Sequence, residues 1–316
     1  MGSAVPPGRG GALKTSAISR FVRYLPALVR GRPLHSRDRY RPFFIVGSGR
    51  CGTTLLRAML QAHPDVHIPP ETYVLGNVVR DWRRYSRLPW NAVLRLVLGQ
   101  FVFHPHWEAF QLTLEPLFRE LNVRPSSGRN LAAVLDAVYT AHARQCKPAA
   151  SRWGDKTPAN TFVLPDLNAV FPDLRVIHLL RDGRDVVGSF VRIEKHDLSV
   201  SARHWLRSVR EARAFGANHP ARYLEIRYED LVRRTRDIIE RVVLFLDVPF
   251  DERMTRHHEL DLHLPDVDQQ QHLRGAREPV HQRSIGRWRS EFDPHQLAEL
   301  HRLLGSTLAE LGYGAA

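Results

Sequence analysis

Residues 42–55 read PFFIVGSGRCGTTL and bring together Gly47, Gly49 and Gly52, a guanidinium at Arg50, and the hydroxyls of Thr53 and Thr54. Glycine lets a backbone approach an anion closely. Amides at a helix N-terminus donate to oxyanions, and arginine adds a permanent charge. From Gly47 the run is G-S-G-R-C-G-T-T, close to the phosphate loop G-x-x-x-x-G-K-[ST]. It departs at position 53, where threonine stands in place of the lysine that reaches the β- and γ-phosphates. The cation lies inside the loop instead, at Arg50. Such a loop is poorly furnished for a γ-phosphate and well furnished for one or two anionic groups.

A second constellation lies in VIHLLRDGRDVVGSF at 176–190. Arg181 ends an apolar run, and Ser189 follows eight residues later, just over two helical turns on. Arg184 offers a further cation. Alternatively, Arg181 and Arg184 pair with Asp182 and Asp185 as a surface network. Ligands of doubly wound sheets bind at the carboxyl ends of strands. Two strand ends, each with an arginine and hydroxyls, suggest one ligand with two separated anionic groups. A 5′-phosphosulfate, which has no γ-phosphate, suits the first loop.

The elements that must position these residues are short apolar runs at Phe43–Val46, Val66–Ile68, Val176–Leu180 and Tyr223–Ile226. They hardly alternate, as expected of parallel strands buried on both faces. Helical patterns separate them at Thr54–Ala62, Asp185–Ile193, Ser199–Ala217 and Leu231–Leu246, and an amphipathic helix, Pro294–Leu311, closes the chain. The expected fold is α/β: a three-layer, P-loop-like parallel sheet flanked by helices, with a helical insertion at about 75–150. That insertion holds helical stretches at Ala92–Phe101 and Leu131–Gln145 and the aromatics Trp82, Tyr85, Trp90 and Trp107. It either caps the sheet and lines an acceptor pocket or packs as an ordinary outer layer. The tryptophans accordingly stack on an acceptor or simply pack.

The 316 residues are 43% hydrophobic and 25% charged, ordinary for a globular protein. No apolar run approaches bilayer-spanning length, and Arg95 interrupts the best stretch, Val93–Val102. Of the net charge of +13, residues 1–40 carry +7, from eight basic side chains against Asp38. These residues are expected to form a basic, partly disordered arm before a domain at 41–316. Ile18, Phe21, Val22 and Leu25 fall at helical spacing among arginines, suiting either a peripheral membrane contact or a solvated arm. An Arg-rich, acid-poor organelle-targeting segment is another reading, whereas a secretory signal is not expected. The expected location is the cytoplasm. Two cysteines, Cys51 and Cys146, make neither a disulfide framework nor a zinc site. Cys51, beside Arg50 at a helix start, is either a thiol of lowered pKa or a small residue filling a small place.

Five elements occur in a recognisable order: GSGRCGTTLLRAML, RWGDKTP at 152–158, RDGRDVVGS with Arg181 and Ser189, RYEDL at 227–231 and SIGRW at 284–288. Over roughly residues 42–290 the chain resembles sulfotransferases that use 3′-phosphoadenosine-5′-phosphosulfate (PAPS). It is most similar to the bacterial branch related to tyrosylprotein and heparan sulfotransferases. The resemblance implies that Gly49, Arg50, Cys51, Gly52, Thr53 and Thr54 hold the 5′-phosphosulfate. It implies that Arg181 and Ser189 hold the 3′-phosphate, that Tyr228 lies near the adenine, and that Arg283 and Ser284 lead a segment folded over the nucleotide.

Sulfuryl transfer, like phosphoryl transfer, asks for in-line displacement, cations near the leaving oxygen and a base for the acceptor. Arg50 is the expected leaving-group cation and Lys156 a second one able to donate a proton. Glu71, in IPPETYVL, is the expected base, with His63 and His67 as alternatives. No metal is expected. The acceptor, a small molecule, carbohydrate, lipid or peptide, is not legible. A P-loop kinase or nucleoside triphosphatase is the first alternative, opposed by the missing lysine. A basic nucleic-acid-binding protein is the second, opposed by the charge lying largely in the arm.

Overall fold

The computed structural model describes residues 31–36 and 38–314. β1 (Phe43–Val46) leads into the glycine loop and α1 (Thr53–Gln61), and β2 (Val66–His67) follows. The helices α2 (Leu75–Tyr85), α3 (Trp90–Val102), α4 (Glu115–Asn122) and α5 (Leu131–Cys146) precede β3 (Arg152–Lys156). Next come α6 (Leu164–Val170), β4 (Arg175–Leu180), α7 (Gly183–Ser189), α8 (Leu198–Asn218) and β5 (Tyr223–Arg227). α9 (Tyr228–Arg233), α10 (Thr235–Leu246), α11 (Pro265–Gln269), α12 (Trp288–Glu291) and α13 (Pro294–Glu310) complete the order.

The five strands form one sheet, all parallel, in the order β2-β3-β1-β4-β5. Side chains alternate across it into two apolar cores. Phe43, Ile45, Ile177 and Leu179 face α1, α10 and α13, whereas Phe44, Val46 and Val176 face α2, α3, α5 and α6. This burial on both faces is why the strands read as continuous apolar runs.

β3 was not among the expected strands. Its sequence, RWGDK, looks polar, yet Trp153 to Lys156 are buried. Gly154 is required where the strand meets the Phe43 ring, because a Cβ there would lie 2.3 Å from that ring. Asp155 is reconciled to burial by accepting from Tyr139 Oη (2.6 Å), Thr72 Oγ1 (3.1 Å) and Asn160 Nδ2 (2.8 Å). The expected single helix at Leu231–Leu246 is two, α9 and α10, parted at Arg234. The helix expected to run on to Ile193 ends at Ser189 and continues as a π-turn over Phe190–Glu194.

Helices α2 to α5 build an outer layer on one sheet face. Trp82 and Trp90 belong to its core, edge to face at 6.2 Å, so neither can stack on an acceptor. The described end of the arm is tied to this layer. Trp82 Nε1 donates to Arg32 O at 3.0 Å, and Ala132 N donates to Leu34 O at 2.8 Å. The helical pattern around Ile18–Leu25 lies outside the described residues. Among the described residues no helix is long and apolar enough to cross a membrane.

Candidate active site

β1 and β4 are hydrogen-bonded neighbours at the centre of the sheet, with Ile45 opposite Ile177. The loops after them therefore emerge side by side, at the kind of switch point where open sheets bind ligands. After β1, Gly49, Arg50 and Gly52 all take positive φ (76°, 55° and 94°). Backbone of this kind turns successive amides into an anion-binding concavity. Gly52 is the N-cap of α1, and no side chain caps it. Any other residue there would be strained, and its Cβ would stand 2.4 Å from the Tyr228 ring.

The two loops close on one cavity of about 660 Å³. Arg50, Gly52, Thr53, Thr54, Arg181, Ser189, Tyr228 and Ser284 line it. The two arginines touch: Arg181 Nη1 donates to Arg50 O at 3.0 Å, and Arg50 Nε donates to Ser189 Oγ at 3.2 Å. The Arg181 guanidinium lies over the Tyr228 ring at 4.7 Å, and its buried Nε has no protein partner. Burial, opposed by Glu194 and aided by Arg181, pushes the Arg50 guanidinium below its ordinary value.

The expected base and second cation meet beside this cavity. Lys156, at the end of β3, is fully buried; its Nζ donates to Thr54 Oγ1 at 3.2 Å and pairs with Glu71 Oε1. Glu71 is aimed there by the next residue. Thr72 N donates to Thr157 Oγ1 (3.0 Å), and Thr72 Oγ1 donates to Asp155, which ties the 69–74 loop to the end of β3. Glu71 and Lys156 reach the cavity through Thr54 rather than lining it.

Several expectations change. Gly49 shapes the loop without lining the cavity. Cys51 is fully buried in the core, and burial pushes its thiol up, so it fills space; only its backbone belongs to the loop. Arg283 is exposed and outside the lining, where Arg287 stands instead. Arg184 is committed elsewhere, paired with Asp182 (2.8 Å) and stacked on Trp288 (4.0 Å). His63 holds the chain together, bonding Pro249 O at 2.9 Å and accepting from Asp65 N. His67 is buried against His142, Nε2 to Nδ1 at 2.7 Å, and burial lowers its pKa to about 2. Neither histidine lines the cavity, and both are engaged in hydrogen bonds elsewhere in the fold.

The sequence reading missed Arg192, Ile193, His272 and Arg287, all of which line the cavity. Arg192 and Ile193 follow Ser189 closely enough to have been found by continuing the helix. His272 and Arg287 sit in a cover spanning 265–288, built of short irregular turns that leave no periodic signal. Asp185 pins that cover, accepting from Gly286 N (2.8 Å) and Trp288 N (3.0 Å). Burial and the charge of Arg50 lower the pKa of His272. Among the described residues no group of three or more His, Cys, Asp or Glu could hold a metal ion.

A model of the sulfotransferase family matches residues 42–252, which carry the loop, β3, Arg181, Ser189 and Tyr228. The chain belongs to the sulfotransferase family. It is thus an enzyme that transfers a sulfuryl group. Protein-tyrosine sulfotransferase A of Caenorhabditis elegans is 23% identical over 295 residues, covering 87% of this chain and 68% of that protein. Protein-tyrosine sulfotransferase 1 of Danio rerio is 26% identical over 287 residues, covering 85% and 71%. The sulfotransferase domain from the Synechococcus PCC 7002 olefin synthase superposes with a TM-score of 0.59 at 25% identity, covering 87% of this chain and 97% of that one. The fold of these sulfotransferases is thus the fold described above.

Proposed function

We propose that the chain moves a sulfuryl group from PAPS to a hydroxyl or amine acceptor and releases adenosine 3′,5′-bisphosphate. One observation carries the donor assignment: Arg50 and Arg181, at the tips of adjacent strands, open into the same cavity. A nucleotide with an anionic group at each end of its ribose would meet both arginines in that cavity, whereas the lysine that a triphosphate needs is missing at position 53. The residues present fit such a donor. The first-turn amides of α1 have no side-chain cap, and Arg181 Nε is buried without an acceptor. An orphaned buried donor is costly unless a ligand or water satisfies it.

In this reading Arg50, Gly52, Thr53 and Thr54, with the backbone of Gly49 and Cys51, would hold the 5′-phosphosulfate. Arg181 and Ser189 would hold the 3′-phosphate, Tyr228 would flank the adenine, and Ser284 would belong to the cover. Bound PAPS supplies an activated S–O bond. Arg50 would then face the negative charge that grows on the leaving oxygen, and Lys156 would add its charge from behind Thr54. Glu71 takes the acceptor proton, and its pairing with Lys156 keeps it oriented. Residues 41–316 act as one domain, with 75–150 on the acceptor side, and the basic charge of residues 1–40 suits an anionic membrane. The relatives' names put a tyrosine hydroxyl of a protein first among acceptors; small molecules, carbohydrates and lipids are tested beside it.

Equilibrium binding of adenosine 3′,5′-bisphosphate against ATP–Mg²⁺ tests the donor. Tight ATP binding with no bisphosphate binding would refute it. Labelled PAPS incubated with the protein and a panel of acceptors then identifies the acceptor.

A further inference from the structure

Tyr73 stands two residues beyond the proposed base and has φ 51°, the left-handed region that non-glycine residues enter at a cost. Strain of this kind concentrates at functional positions. The residue is 46% exposed, yet its ring is held. It stacks on His104 with centroids 5.6 Å apart and planes at 12°, and leans against His106 at 6.2 Å. In this pose the phenol O–H donates to Glu71 Oε2. The other Glu71 oxygen pairs with Lys156, which reaches Thr54 in the cavity wall. A hydroxyl about to be sulfated needs that same bond: to the base carboxylate, on the side of the cations. Tyr73 already holds the bond to the carboxylate, at the oxygen opposite the one paired with Lys156.

We propose that Tyr73 is itself a sulfuryl acceptor, sulfated in cis by its own active site. The inference rests on the reading of PAPS as donor and Glu71 as base. The phenol oxygen attacks sulfur. The new O–S bond forms as the bond from sulfur to the 5′-phosphate oxygen breaks, and the phenol proton passes to Glu71. Adenosine 3′,5′-bisphosphate leaves with the displaced electron pair, facing Arg50 and Lys156. No oxidant or reductant is consumed. The product is a tyrosine O-sulfate whose fixed negative charge lies beside Glu71, where an external acceptor must dock. The modified chain therefore transfers to external acceptors more slowly than the unmodified one.

The test uses the full chain, PAPS and no other acceptor, read by intact mass and peptide mapping. The expected result is one sulfuryl group per chain, on the peptide carrying Tyr73, appearing at a rate independent of protein concentration. Tyr73→Phe should take no label, and Glu71→Gln should label at least about a hundredfold more slowly. Bisphosphate binding is measured on the same sample by calorimetry. A chain that binds the bisphosphate but stays unlabelled, labels at another residue, or labels faster at higher protein concentration overturns this inference and leaves the donor reading standing. A chain that binds no bisphosphate overturns both.

Discussion

At the level of single residues, the proposed reading divides the labour of the site between two arginines that touch. In that reading Arg50 would carry the loop's charge to the leaving oxygen; in the structure its backbone oxygen accepts from Arg181. The reading separates them experimentally. Arg50→Ala should lower kcat by about 10²–10³, the loss typical of a removed charge-stabilising donor, while much bisphosphate affinity remains. Arg181→Ala should weaken bisphosphate binding first, because its orphaned Nε and its place over Tyr228 serve the ground state. Single-turnover rates and calorimetric titrations of both variants check this; a normal transfer rate in Arg50→Ala would remove its role. Residue types made this pair legible, since few arrangements need arginine inside a glycine loop. They did not reveal the fate of His63 and His67, and for Cys51 they left packing beside reactivity. Each looks reactive in sequence, and each is spent on packing or on a hydrogen bond across the fold.

At the level of elements, β3 matters most and was hardest to read. Strand signals rest on apolar runs, and β3 buries Asp155 and Lys156 instead. Donors reaching Asp155 from α5, the 69–74 loop and the turn after β3 make that burial affordable, and none shows in the pattern of apolar residues. Asp155 is therefore a positioning residue. Asp155→Ala should destabilise the fold by about 3 kcal/mol, by leaving buried donors unpaired. In the fraction that folds, kcat should fall more than bisphosphate affinity, since Thr72 no longer aims Glu71. Urea titration with parallel kinetics tests both halves. The β2–α5 contact adds a pH signature. His67 and His142 stay neutral in the fold, with pKa values lowered by burial to about 2 and about 4. In the unfolded chain they protonate near the ordinary histidine value of about 6.5. Their contribution is thus full above about pH 6.5 and is lost as pH falls, by up to about 1.4 kcal/mol per pH unit for each. Urea midpoints at pH 7.5 and 5.0 should differ accordingly, and replacing both with glutamine should flatten the difference.

At the level of the whole molecule, the cavity joins parts far apart in sequence: the loop after β1, the tip of β4, the start of α9 and the cover at 265–288. The first two were legible because each is a strand end followed by a helix, and the third through the family resemblance of RYEDL. Of the cover, only the SIGRW end was legible, through the family resemblance; the rest was not, because short turns held by Asp185 and Arg181 carry no repeat. A ligand that bridges these parts must stabilise all of them together. Adenosine 3′,5′-bisphosphate at a hundredfold excess over its Kd should add about 2.7 kcal/mol to the unfolding free energy. ATP–Mg²⁺ at the same concentration should add little. The effect should shrink with added salt, since four arginines face two carboxylates across the cavity wall and the ligand's charges are screened. It should also shrink in Asp185→Ala, where the cover loses two of its backbone anchors while Arg50 and Arg181, with the Arg181 bond to Ser284 O, remain. Thermal melts across ligand and salt concentrations read all three comparisons. Equal stabilisation of Asp185→Ala and the parent chain would mean that the cover contributes nothing to holding the nucleotide, leaving the strand tips to bind it alone.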